Sequence, residues 1–204
     1  WNGNEFIERF SGTSTDLPFP QMKLIDFDGN GIFDLEVTSN GFGSAGAGPQ
    51  RQRTKIWTID DIGNNWAFSQ ELLSQSKYRI HMFHDAETAF SQADYQVALV
   101  LYEVVISEDT LSDWISPETE RQHIRTYARF KQIVAYSYLE NITLAKAMLN
   151  KIIEDVSQND FRFPMVQLAQ LFYDELITNG LDSACSTAIQ YANDNHQAIL
   201  GPLG

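Results

Sequence analysis

The chain has 204 residues, with 27 acidic against 14 basic side chains and a formal net charge of −13. That surplus excludes a nucleic-acid binder, which needs lysine and arginine to neutralise phosphate, and disfavours docking to an anionic membrane surface. Hydrophobic residues at 43% and aromatics at 12% are enough to fill a core, which excludes a disordered chain. No apolar run reaches the roughly 20 residues of a membrane span.

The length suits one large domain or two small ones, and the grammar changes near Tyr78. Nine of the twelve glycines precede that residue. The region 1–78 alternates short β-type runs with turn clusters, whereas 79–204 carries helical spacing. The expected architecture is therefore α+β. Strands are predicted at Glu5–Phe10, Lys23–Asp26, Asp34–Thr38, Thr54–Ile59 and Trp66–Leu72, from alternation and β-branched or aromatic content between Gly, Asn and Pro clusters. An internal echo links Trp1-Asn2-Gly3-Asn4-Glu5-Phe6 to the stretch from Trp57 through Gly63-Asn64-Asn65-Trp66. Each sets aromatics about an Asn/Gly turn, as if the chain opened inside a longer repeat array.

Between the second and third of those strands lies Asp26-Phe27-Asp28-Gly29-Asn30-Gly31-Ile32-Phe33-Asp34. Oxygen donors at alternating positions can wrap a hard cation, and the glycines allow the tight turning this requires. Asp26, Asp28 and Asn30 offer side-chain oxygens, Ile32 its carbonyl and Asp34 a carboxylate. Calcium suits such a set better than magnesium, which keeps waters and a strict octahedron. An EF-hand is excluded, because its twelfth loop position needs a bidentate Glu and here holds Val37, and because the flanks read as strands. An unoccupied turn, with Asp and Asn capping their own backbone, is the plain alternative.

The loop resembles the D-x-D-G-D/N-G-x-x-D loop of FG-GAP/VCBS, or integrin-α-type, repeats. The resemblance covers about residues 20–72. It implies calcium held between two strands of a partial β-propeller-like blade, and an extracellular or cell-surface location. The glycine-rich stretch Gly41-Phe42-Gly43-Ser44-Ala45-Gly46-Ala47-Gly48 lacks the Gly-Lys-Ser/Thr ending of a phosphate loop and reads as a hairpin connection.

Six helices in three pairs follow: Arg79–Ala93 with Tyr95–Ser107, Pro117–Leu139 with Ile142–Ser157, and Pro164–Thr178 with Leu181–Asn195. Ser116-Pro117-Glu118 supplies an N-cap, a first-turn proline and an acid near the positive helix end. Each pair turns at a similar joint, namely Ala93-Asp94-Tyr95-Gln96-Val97-Ala98, Glu140-Asn141-Ile142-Thr143-Leu144-Ala145 and Asn179-Gly180-Leu181-Asp182-Ser183-Ala184. The alanine marks where two antiparallel helices approach closely. These joints resemble the tetratricopeptide repeat over about residues 79–195. The alanines recur at spacings of 47 and 39 residues, against about 34 for the standard unit. Longer helices and an inserted Glu108–Ser116 connection account for the excess.

Other constellations carry less chemistry. His81 and His84, with Asp85 adjacent, share a helical spacing but lack a third ligand at a recognisable interval. No Gly-x-Ser-x-Gly nucleophile motif occurs. Arg121, Arg125 and Arg129 recur every fourth residue as a basic stripe, either a solvated, ion-paired face or a strip that recognises a partner's carboxylates. The lone Cys185 excludes an internal disulfide framework and reads as a small core residue. Asn141-Ile142-Thr143 satisfies a glycosylation sequon that chance alone supplies often.

The expected function is a non-catalytic, calcium-binding module for protein interaction or assembly, its partner another protein or a neighbouring copy of itself. Two alternatives belong to other classes: a structural subunit of a surface polymer built by strand addition, and an accessory region of a secreted hydrolase.

Overall fold

The computed structural model describes residues 4, 8, 17–41, 43, 48–59, 66–114 and 116–201. Most of the expected strand Glu5–Phe10, of the echo at Trp1–Phe6 and of the glycine-rich stretch lies outside them. The chain divides into two compact units, Trp1–Gln75 and Ser76–Gly204. The division falls just before the expected boundary at Tyr78, because the intervening residues are tied to the helices. Ser76 Oγ donates to Asp85 Oδ2 at 2.6 Å. Lys77 and Arg79 bracket Ser112 through backbone bonds of 2.9 and 2.8 Å.

The first unit holds a four-stranded antiparallel meander, β1 (Gln21–Ile25), β2 (Asp34–Thr38), β3 (Arg53–Ile59) and β4 (Trp66–Leu73), in spatial order 1-2-3-4. Strand β1 begins two residues earlier than Lys23 and stops before Asp26, whose side chain is engaged in the following turn. Leu35 and Val37 alternate with Glu36, so their burial with Leu17 against Trp57 and Trp66 gives the sheet one apolar face. On the same register Leu35 faces Leu24 on one side and Trp57 on the other. A bulge between Ile56 and Trp57 then shifts the pairing with β4. Cross-strand polar pairs reinforce the register: Thr38 and Thr54 hydroxyls lie 3.0 Å apart, and Arg53 meets Glu71 at 3.3 Å.

The second unit is helical: α1 (Arg79–Ser91), α2 (Tyr95–Ser107), α3 (Pro117–Tyr138), α4 (Ile142–Asp155), α5 (Phe163–Asn179), α6 (Leu181–Asp194) and a single turn, α7 (His196–Ile199). The mixed α+β architecture and the six long helices agree with the sequence reading. The turn α7 is too short to leave a periodic signal. Among the described residues no helix is long and apolar enough to cross a membrane.

Two cores meet on α3, whose 22 residues are the longest helix described. Its first half packs Ile124 and Ala128 with Phe83, Ala98 and Tyr102. Its second half packs Phe130 and Ile133 with Leu149, Met165, Phe172, Ala184 and Ile199. The joint alanines Ala98, Ala145 and Ala184 are each 0% exposed, as close helix approach requires.

The joints share a mechanism in the first two pairs and differ in the third. Ala93 and Glu140 sit at φ +60° and +56°, which ends α1 before Ala93 because a left-handed residue cannot continue a helix. Asp94 and Asn141 then cap the next helix, accepting from Val97 N and Leu144 N. In the third joint Gly180 alone, at φ +88°, closes α5 and opens α6 with no side-chain cap.

Candidate functional site

The loop between β1 and β2 folds by its own polar side chains. Asp26 Oδ2 accepts from Gly31 N at 3.1 Å, pulling the loop into a tight turn that Gly29 and Gly31 complete at φ +76° and +83°. A Cβ at either glycine would meet nothing within 4 Å, so these positions need glycine for their backbone angle and not for space. Asp28 Oδ1 accepts from Asn30 N at 3.1 Å, while Asn30 Nδ2 donates to Asp28 Oδ2 at 2.9 Å and Asn30 Oδ1 accepts from Ile32 N at 2.7 Å. These are successive Asx turns.

Asp34 differs from its neighbours. It opens β2, is 1% exposed, and its Oδ2 accepts from Phe27 N at 3.0 Å. Among the described residues that amide is its one hydrogen-bond donor. The five expected donors therefore share one short loop, with Asp34 buried at its base and Asp26, Asp28 and Asn30 exposed along it. Among the described residues no three His, Cys, Asp or Glu side chains gather at one point. Asn30 and the Ile32 carbonyl are the remaining oxygens of the set. The donor chemistry fits calcium: every group is a hard oxygen, and a buried carboxylate with a single amide partner is costly without a compensating charge.

The arginine stripe occupies the second unit. Each member meets a carboxylate of this chain: Arg121 Nε reaches Asp113 at 2.8 Å, Arg125 Nη2 reaches Asp109 at 2.6 Å, and Arg129 pairs with Asp155. The Arg125 guanidinium holds the Asp109 carboxyl below its usual range. Glu118, Arg121, Gln122 and Arg125 line an open depression of about 440 Å³ on α3, where Arg125 Nε is buried without a partner among the described residues. The regular spacing was visible in the sequence, but the paired carboxylates were not, because Asp109 and Asp113 lie in the irregular connection before α3.

That connection contains the feature which sequence reasoning missed. Arg79, at the first position of α1, is 0% exposed, and its Nε meets Asp113 Oδ1 at 3.0 Å. Its Nη1 also donates to the Val105 carbonyl at 2.5 Å. Burial pulls the Arg79 pKa down, and the Asp113 hydrogen bond opposes that pull. Asp113 thus bridges Arg79 and Arg121 and fastens the connection to α1 and α3, while Arg79 itself reaches α2.

The remaining candidates have structural settings. His81 is buried against Tyr78, ring centroids 5.4 Å apart, whereas His84 is exposed on the same helix. Tyr102 is fully buried and donates its hydroxyl to Glu87; burial raises its pKa strongly. Burial likewise pushes Tyr127 up to about 12. Cys185 is half-buried and packs against the second core beside Tyr138. Tyr138 in turn stacks on Tyr95 at 4.8 Å.

No protein-family model matches the chain, and neither a curated protein nor a solved structure matches it.

Proposed function

We propose that the chain is a non-catalytic, calcium-fastened binding module that works outside the cytoplasm, at a cell surface or in secretion. The observation that carries this reading is the buried Asp34 carboxylate at the base of an oxygen-rich loop joining two adjacent strands. A cation held by Asp26, Asp28, Asn30, the Ile32 carbonyl and Asp34 would neutralise that carboxylate and tie β1 to β2. Sites built from one short, exposed loop bind calcium weakly and fill where calcium is abundant, which supports the extracytoplasmic setting. The order of the meander, with the loop at its first turn, supports the FG-GAP-like reading of the sheet. The paired helices with buried joint alanines support the tetratricopeptide-like reading of the second unit.

Partner binding is assigned to the helices. A partner carboxylate would displace Asp109, whose side chain is 79% exposed, and take its place on Arg125 in the depression on α3. Titration of calcium into chelator-treated protein tests the first half of the proposal by heat and by protection of the β1–β2 amides. An absence of calcium binding at millimolar concentration overturns it. Reversing the charge of Arg125 tests the second half. Unchanged affinity for an acidic partner returns the stripe to a structural role.

Polymer assembly through strand addition is the second reading, favoured by β1, which among the described residues is an edge strand. Met22 and Leu24 on that strand are 69% and 57% exposed, and an edge strand presents a row of unpaired backbone groups. Mass in solution across a wide concentration range separates the two readings: a constant monomer mass removes the polymer.

A further inference from the structure

His123 on α3 is 0% exposed, and its Nε2 lies 3.0 Å from the Ile199 carbonyl oxygen, 76 residues along the chain. A carbonyl only accepts, so Nε2 carries a hydrogen, and in the neutral ring Nδ1 carries none. Nδ1 is then the one place a further proton can go, and it is buried with no partner among the described residues. One face of the ring stacks on Phe161 at 6.5 Å, and the Arg162 guanidinium lies 5.8 Å from that phenyl ring.

The element opposite His123 is slight. Helix α7 has four residues, seated by the buried side chain of Ile199 in the core of α3 to α6. Its own backbone adds bonds from Ile199 N to Asn195 O at 3.0 Å and from Leu200 N to His196 O at 2.8 Å. We infer that α7 is an acid-released clasp, closed while His123 is neutral and released when Nδ1 takes a proton from solvent.

The surroundings oppose that proton while the clasp is shut. The segment before α5 contributes Arg162, a cation whose own partner Asp160 lies 2.6 Å away. Helix α7 contributes His196, which is exposed; on α3 itself Arg121 and Arg125 stand two residues to either side, on the other face of the helix, engaged with Asp113 and Asp109. No carboxylate without a cation partner stands among these groups to receive an Nδ1–H. Desolvation, with a smaller repulsion from Arg162, holds His123 below its ordinary value of 6.5, and the Ile199 bond opposes them. Release returns the ring to water and to that ordinary value. A base whose pKa is depressed in the closed state favours closure fully above about pH 6.5. Closure weakens as pH falls further, by at most about tenfold in the opening constant per unit. What opens is the apolar seat of Ile199 at the end of the helical unit.

Hydrogen exchange on the full chain tests this between pH 7.5 and 4.5. After correction for intrinsic exchange, protection of the Ile199 and Leu200 amides should fall as pH drops below 6.5, by at most about tenfold per unit, with Leu149 and Ile152 in α4 unchanged. His123→Gln keeps an N–H for the Ile199 carbonyl but cannot titrate, and should make that protection independent of pH. Should this variant fold poorly, the imidazole Cε1 proton resonance of the unaltered protein decides. It should titrate below 6.5, in step with the loss of α7 protection. Titration of the ring at or above 6.5 with α7 still protected overturns the clasp. So does a parallel loss of protection in α4, which would mean that acid acts on the whole unit.

Discussion

Arg79 and Asp113 stand 34 residues apart in the chain, yet their side chains meet at 3.0 Å with neither reaching solvent. Removing one partner of such a pair leaves the other charge buried and uncompensated, which costs about 3–5 kcal/mol. Asp113→Asn should therefore lower the unfolding free energy of the helical unit by that much, read from urea unfolding followed by far-ultraviolet circular dichroism. The double change Arg79→Met with Asp113→Leu should recover most of the loss, because apolar groups of similar volume need no counter-charge. Equal destabilisation by the single and double variants would show that the pair acts through packing alone.

The joints give opposite expectations for glycine. Ala93 occupies φ +60°, where a Cβ is strained, so Ala93→Gly should stabilise the unit by about 0.5–1 kcal/mol. Gly180 holds φ +88° with ψ 179°, a region that belongs almost solely to glycine. No atom within 4 Å would obstruct a Cβ there, so the strain is in the backbone. Gly180→Ala should destabilise by about 1–3 kcal/mol. Thermal melts of both variants check the pair of signs.

Why the helices were legible and the Arg79 pair was not follows from what each leaves in the sequence. Helix periodicity and the small joint residue are local, so Tyr95–Ser107 and the buried Ala98, Ala145 and Ala184 could be placed from spacing. The Asx turns of the β1–β2 loop are local too, since each side chain bonds a backbone group two to five residues on. Arg79 and Asp113 carry no such mark: each looks like an ordinary surface charge until the connection folds back over α1. His123 and Ile199 were missed for the same reason, their contact spanning most of the helical unit. The third joint also departed from its expected equivalence, because Gly180 closes in one residue what Ala93-Asp94 and Glu140-Asn141 close with a left-handed residue and a cap.

Calcium should act on the sheet through Asp34. At about one hundred times its dissociation constant a ligand that binds only the folded state adds roughly 2.7 kcal/mol of stability. The unaltered protein should gain that amount in calcium, and much less in magnesium at the same concentration. Asp34→Asn should remove most of the gain while improving stability in chelator, since a buried carboxylate held by a single amide is replaced by a neutral side chain. Fluorescence of Trp57 and Trp66, both packed against the apolar face, reports the transition. An identical calcium response in the variant would remove Asp34 from the ligand set.

The joint alanines make the most local test of the helical packing. Ala145 is 0% exposed and faces the core shared by α3, α4 and α5, while its neighbour Lys146 is exposed. Inserting extra methylenes at a close helix approach forces off-rotamer side chains or a backbone shift, at about 1–3 kcal/mol. Ala145→Leu should accordingly lower the melting temperature, and Lys146→Leu should leave it nearly unchanged. Ala98→Leu should repeat the loss in the first core, where α1 and α2 approach α3. Ala145→Gly separates crowding from helix propensity: it creates no overlap and should cost only about 1 kcal/mol, the ordinary propensity difference. A loss from Ala145→Leu no greater than that from glycine would mean that the helices yield at the joint, and close packing would not be what fixes the alanine there.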